Sequence, residues 1–209
     1  MIKLVAFDLD GTIGETVPMC IKAFELAVSP YAGHALSREE IIQTFGLNEI
    51  GMIKMVAGEK WREALNDFYP VYEKMHAECP NPYEGIHELI NTLKSKGVLV
   101  ALITGKGEKS CMMTLEKFGM KDIFCAIKTG AEDRPNKTES ISELLEAYHV
   151  ANDEFYYVGD AVSDVEASRK AGVACLSAAW GTTVETARLE EVNPSNVFFT
   201  ISDLQNFLC

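Results

Sequence analysis

The sequence predicts an α/β fold, a doubly wound parallel sheet with an all-helical segment inserted after its first strand. Three observations carry this. Six short, nearly continuous apolar runs are spread along the 209 residues, and such runs mark strands buried on both faces. From the second run onward, segments with apolar residues three and four apart separate them, as crossover helices do. Between the first and second runs, over residues 14–81, no convincing strand pattern occurs.

Taken in order, Leu4-Val5-Ala6-Phe7 is the first strand, and residues 98–103, 125–127, 155–158, 173–176 and 197–199 supply the others. In the helical interval Cys20, Ala23, Phe24 and Ala27 share a face. Ser37-Arg38-Glu39-Glu40 is a capping box predicting a helix through Ile41, Ile42 and Phe45. A stripe of Trp61, Leu65, Phe68, Tyr69, Tyr72 and Met75 follows, and Pro70 inside it predicts a kinked helix or two helices. These aromatics read as helical core rather than a binding platform. Ile86, Leu89, Ile90 and Leu93 form the next stripe, closed by Lys94, Lys96 and Gly97. Ile141, Leu144, Leu145 and Tyr148 form another. Val162, Val165 and Ser168 form the last, with small Ala167 and Ala171 suited to close packing. The expected division is a core of residues 1–13 and 82–209 and a lid-like cap of residues 14–81.

Composition excludes several roles. The balance of 19 basic against 31 acidic residues gives a net charge of −12, which argues against binding nucleic acid or an anionic membrane. A phosphorylated ligand must then be held by a local site. No apolar run approaches the roughly 18 residues of a membrane span, and the first residues do not read as a signal peptide. None of the six cysteines forms a C-x-x-C pair and the four histidines lack ligand spacing. Reduced thiols in a cytoplasmic protein are expected, without structural zinc.

Ligands of an open parallel sheet bind beyond the carboxyl ends of its strands. The first run ends in Asp8-Leu9-Asp10-Gly11-Thr12, the second in Thr104-Gly105-Lys106, and the fourth in Gly159-Asp160 with Asp164 four residues on. Each alone is a weak signal; three converging strand ends predict a site. Carboxylates gathered this way repel unless protons or cations compensate, and hard oxygen ligands without His or Cys favour Mg²⁺. Lys137, opening a predicted helix, adds a cation, and the Thr104-Gly105 turn offers a hydroxyl and backbone N–H groups to an anion. Gly105-Lys106-Gly107 completes neither a dinucleotide fingerprint nor a P-loop.

Together these segments resemble the haloacid-dehalogenase-like (HAD) phosphatases, in particular the phosphoglycolate-phosphatase-like branch with a helical cap. The resemblance spans the chain. Residues 7–12 are similar to the family's first motif, 102–106 to the second and 158–164 to the fourth. In the third, Arg134-Pro135-Asn136-Lys137, Lys137 matches the motif lysine and Arg134 is the other candidate. The resemblance implies a Mg²⁺-dependent phosphatase of a small phosphorylated metabolite, a monomer or homodimer. It assigns Asp8 as nucleophile and Asp10 as general acid, then base. Thr104, Gly105 and Lys137 hold the phosphoryl group. The metal is bound by Asp8, Asp160 and the Asp10 backbone carbonyl, and Asp164 orients Lys137 or a metal-bound water.

The family's dehalogenases and phosphonate hydrolases replace the second Asp, so Asp10 favours phosphate esters; Lys54 only faintly resembles a phosphonate-hydrolase cap lysine. Neither Arg38 nor Arg62 precedes a serine, which sets hydrolysis above the alternative, a phosphomutase. A non-catalytic phosphometabolite-binding protein is the rival from another class. Two departures stand out. Gly14, where the branch carries an acidic step, is expected to loosen a cap hinge. The substrate-facing turn, Thr44-Phe45-Gly46-Leu47-Asn48-Glu49, lacks an anion-binding Arg.

Overall fold

The computed structural model describes residues 1–209, and each predicted apolar run forms a strand of one sheet. The strands are β1 (Leu4–Phe7), β2 (Leu99–Ile103), β3 (Ile127–Lys128), β4 (Phe155–Gly159), β5 (Ala174–Ala178) and β6 (Val197–Phe198). All pairs are parallel, in the order β3-β2-β1-β4-β5-β6. This order puts the topological switch between β1 and β4, where doubly wound sheets open a crevice. The register pairs Phe7 with Leu102 on one side and with Val158 on the other. Asp8, Thr104 and Asp160 therefore leave the sheet within about one residue of each other along it.

β1 shows why the runs lack alternation. All four of its residues are fully buried: Val5 and Phe7 join the apolar cluster on one face, Leu4 and Ala6 the cluster on the other. After β1 come α1 (Val17–Ala32), α2 (Arg38–Ile42), α3 (Glu49–Ala57), a 3₁₀ turn (Gly58–Lys60) and α4 (Trp61–Met75). The crossover and terminal helices are α5 (Ile86–Ser95), α6 (Glu108–Lys117), α7 (Lys137–Tyr148), α8 (Val162–Ala171), α9 (Thr186–Val192) and α10 (Ile201–Leu208).

In the helical interval the aromatic stripe is core, as expected. The Phe24 and Phe68 rings lie 4.9 Å apart, and Phe68 and Tyr72 are buried. One local expectation is corrected and one is narrowed. The capping box forms, with Ser37 Oγ accepting from the Glu40 N–H at 3.2 Å, but α2 stops at Ile42 rather than reaching Phe45. Thr44 bends its hydroxyl back onto the Ile41 carbonyl at 2.7 Å, a local bond that competes with helix, and Gly46 then turns with φ +106°. Pro70 does not split α4, which runs on as one helix. The carbonyl left without its amide partner belongs to Asn66 on the exposed side, where water solvates it.

Candidate active site

β1 ends by delivering Asp8 into the switch-point crevice. The Asp8 N–H donates to the Val158 carbonyl at 2.8 Å, continuing the β1–β4 ladder, while its Oδ1 accepts from the Leu9 N–H at 2.7 Å. That local bond fixes the carboxylate's rotamer, and Oδ2 receives the Lys137 ammonium at 2.6 Å. Lys137 is the first residue of α7 and also donates to Asp164 Oδ1 at 2.5 Å. One cation thus bridges two buried carboxylates from different elements. Asp164 is held in turn by the Ala161 N–H on its Oδ2 at 3.0 Å, in the first turn of α8. A Cβ on Gly159 would sit 2.5 Å from that Oδ2, so glycine is what lets β4 pass this carboxylate.

Asp160 completes the cluster. Thr12 donates its hydroxyl to Asp160 Oδ1 at 3.2 Å, and Gly11, with φ +77°, clears the other oxygen: a Cβ there would lie 2.2 Å from Oδ2. Oxygens of Asp8, Asp160 and Asp164 all fall within 4.8 Å of one another. The electrostatics follow from this crowding. Burial pushes the Asp8 carboxyl up from 3.8 to about 6, against the pull of Lys137 and with a further push from Asp164. Asp160 is held well above the usual carboxylate range by burial, then by Asp164 and Asp8. For Lys137 burial opposes the charge, but Asp164 and Asp8 outweigh it and the ammonium is kept.

Asp10 faces a different environment. Its Oδ1 accepts from Thr16 Oγ1 and from the Lys106 ammonium at 3.1 Å, and Cys20 Sγ lies 3.8 Å away. Every one of these contacts falls on Oδ1, so Oδ2 is left to give or take a proton. Lys106 follows the Thr104-Gly105 turn, 7% exposed, with its ammonium 3.2 Å from Cys20 Sγ and 4.7 Å from the Tyr72 ring centroid. Burial pushes the Cys20 thiol up to about 12, so it is a neutral neighbour and not a competing nucleophile. Thr104 is fully buried at the end of β2; its Oγ1 accepts from the Lys106 N–H at 3.2 Å, which leaves the hydroxyl proton to donate.

The structure therefore brings Asp8, Asp160, Asp164 and Lys137 into one ionic cluster, and sets Asp10 and Gly105 in the same cleft. The two candidates for the third-motif cation separate: Arg134 is exposed and pairs with its neighbour Asp133 at 3.2 Å. Lys54 is tied to Glu132 at 2.9 Å on the surface. At Gly14 a Cβ would meet the Phe118 ring at 2.6 Å, and its carbonyl accepts from the Gly11 N–H at 2.8 Å.

Two residues lie in segments the sequence singles out, Lys106 in the strand-end turn that resembles the second motif and Glu49 in the substrate-facing turn, yet their own contacts are not legible there. Glu49, buried at the start of α3, receives the Gly107 N–H at 2.7 Å and the Tyr69 hydroxyl at 3.1 Å. No local pattern marks either, because each is defined by a partner far away in the chain.

Fold and site together define a doubly wound α/β protein with an ionic carboxylate–lysine centre at its topological switch. Residues 5–178 match the haloacid dehalogenase-like hydrolase family, and the chain belongs to that family: it is an enzyme of the hydrolase class. A phosphoglycolate phosphatase of Vibrio parahaemolyticus is 30% identical, with 99% of this chain and 95% of that protein covered. A pyrophosphatase PpaX of Bacillus mycoides is 25% identical over 97% of this chain and 95% of its own. In structure, a hydrolase from Pseudomonas syringae superposes with a TM-score of 0.82 at 19% identity, covering 100% of this chain and 98% of that one. The resemblance read from the motifs is thereby borne out.

Proposed function

We propose that this protein is a Mg²⁺-dependent phosphatase that hydrolyses a small phosphomonoester through a phosphorylated Asp8. The observation that carries the reading is Lys137 bridging Asp8 and Asp164 beside Asp160, with Asp10 presenting a free Oδ2 in the same cleft. The names of the relatives, a phosphoglycolate phosphatase and a pyrophosphatase, support it.

Asp8 attacks phosphorus in line and the P–O bond to the leaving group breaks. Lys137 neutralises charge on Asp8 and on the transferring phosphoryl group, and Thr104 with the following N–H groups donates to its oxygens. Asp10 gives its Oδ2 proton to the departing alkoxide, then takes one from the water that attacks phosphorus and frees Asp8. Thr16 and Lys106 hold Asp10 by its other oxygen throughout.

The donor set fits a hard divalent cation: buried carboxylate oxygens gathered within 4.8 Å, and a glycine cradle at Gly11 that keeps Asp160 exposed to the crevice. Asp8, Asp160 and the Asp10 backbone carbonyl would hold Mg²⁺, leaving Asp164 to Lys137. When bound, Mg²⁺ supplies neutralisation of the anionic nucleophile and phosphoryl oxygens. Helices α1 to α4, within the expected cap of residues 14–81, would close over the crevice and exclude water. Six unpaired cysteines and no helix long and apolar enough to cross a membrane accord with a reducing, cytoplasmic setting.

The test is phosphate release from a panel of phosphomonoesters with and without Mg²⁺, beside Asp8→Asn. Turnover that needs Mg²⁺ and vanishes in the variant is the expected result. Turnover that survives Asp8→Asn, or a folded protein inert on every ester, would overturn the reading.

A further inference from the structure

The charges in the crevice say what the rest of the substrate is like. A cavity of about 900 Å³ opens over Asp8 and Asp10, of a size that takes a whole small molecule beyond the phosphate. Its wall on the helical side is apolar: Val17, Phe24, Phe45, Leu47, Met52 and Phe68. Phe45 and Leu47 flank the Gly46 turn that ends the α2 segment, and Phe45 is 44% exposed although it faces the cleft.

A second anion desolvated beside the scissile phosphoryl group would need a free buried cation in this space. Lys137 is taken by Asp8 and Asp164, Lys106 by Asp10, and Arg188 by Glu185 at 2.7 Å. The remaining two, Arg38 and Lys170, have no ion-pair partner and lie exposed on the lining. The buried charge that the helical side does contribute is negative: Glu49, held by the Gly107 N–H and the Tyr69 hydroxyl. A carboxylate or phosphate next to the scissile phosphoryl group would therefore face Asp10 and Glu49 with no unpaired buried cation, a repulsive arrangement.

Resting on the phosphatase reading above, we infer that the preferred substrate is a phosphate monoester of an uncharged alcohol with an apolar body, rather than a compound that carries a second anionic group, such as those named for the relatives. The phosphoryl group docks at Asp8, and the apolar body lies along Phe24, Phe45, Leu47 and Met52. Phe45 is a specificity-determining residue.

Steady-state kinetics with hexyl phosphate, phosphoglycolate and pyrophosphate in Mg²⁺ test this. Hexyl phosphate and phosphoglycolate both release a primary hydroxyl, of hexanol and of glycolate, which limits the difference in leaving-group chemistry between them. A kcat/KM for hexyl phosphate about tenfold or more above that for phosphoglycolate is expected. Phe45→Ala should raise KM for hexyl phosphate with kcat little changed and lower the ratio of kcat/KM for hexyl phosphate to that for phosphoglycolate. Phe45→Arg, at an exposed position that tolerates charge, should narrow or reverse the preference. Phosphoglycolate or pyrophosphate turned over faster than hexyl phosphate by the unaltered protein would overturn the inference while leaving the phosphatase reading intact. Loss of both activities in equal measure in Phe45→Ala would remove Phe45 as the specificity residue. Failure on all three compounds and on a nitrophenyl ester would sink the phosphatase reading and this inference with it.

Discussion

The strand-end crevice and the helical wall above it solve opposite electrostatic problems. At the sheet edge three carboxylates gather beside one lysine that pairs with two of them, and burial penalises the negative charge in excess of it. In the helical half the cleft-lining charges are few, a buried Glu49 held by the Gly107 N–H and an exposed, unpaired Arg38, and the surface between them is largely apolar. The difference separates reactivity from selectivity. The sheet edge concentrates strained charge where a phosphoryl group and a cation can relieve it, while the wall opposite offers shape and apolar area to whatever the phosphate is attached to.

The sharpest way to break this comparison is at the sheet edge itself. Asp8→Asn keeps the size of the side chain and removes the proposed nucleophile, so activity should fall by about 10⁴-fold or more, measured as phosphate release under saturating substrate. Lys137→Ala comes next. Loss of one donor to the phosphoryl group should lower kcat by about 10²–10³-fold. It also strands two buried carboxylates, so urea unfolding should show a loss of about 3–5 kcal/mol. A variant that loses activity without losing stability would mean that the buried pairings do not support the fold.

Charge excess at the sheet edge has a signature in the absence of divalent metal. Because burial raises the Asp8 carboxyl from 3.8 to about 6, the folded protein binds that proton more tightly than the unfolded chain does. Stability from this group is present at low pH and is lost as pH rises from about 4 through about 6. Melting temperatures in chelator should therefore show Asp8→Asn gaining on the unaltered protein as pH climbs through that window, with little difference below it. A constant difference across the window would remove the burial account of Asp8.

Smaller effects sharpen the other side. Glu49→Ala leaves the Gly107 N–H unpaired at the contact between α3 and the turn after β2, and should lower stability by about 1–3 kcal/mol. Gly14→Ala should cost about 1–3 kcal/mol by driving a methyl into the Phe118 ring. Because this effect is steric, it should lower thermal stability more clearly than it changes turnover, unlike a freed hinge.

How much of this the sequence disclosed follows the same division. Strand ends are local, so Asp8, Asp160 and Thr104 could be placed from apolar runs and the rule that such sheets bind at their carboxyl edge. Lys137 could be named only as one of two candidates; the choice depended on the first turn of α7 aiming its ammonium between Asp8 and Asp164. The helical half yielded less. The stripe through Phe68 and Tyr72 identified core, but the end of α2 turned on a Thr44 hydroxyl that outcompeted the helix. The roles of Lys106 and Glu49 depend on Asp10 and Gly107, which only tertiary packing brings within reach.

The central claim is that Asp8 carries the phosphoryl group. Enzyme turning over a nitrophenyl ester in Mg²⁺, quenched in acid and digested, should yield a peptide containing Asp8 heavier by one phosphoryl group. That adduct should disappear when substrate is exhausted and never form in Asp8→Asn. A phosphoryl group on another side chain, or undiminished turnover by Asp8→Asn, would contradict the account.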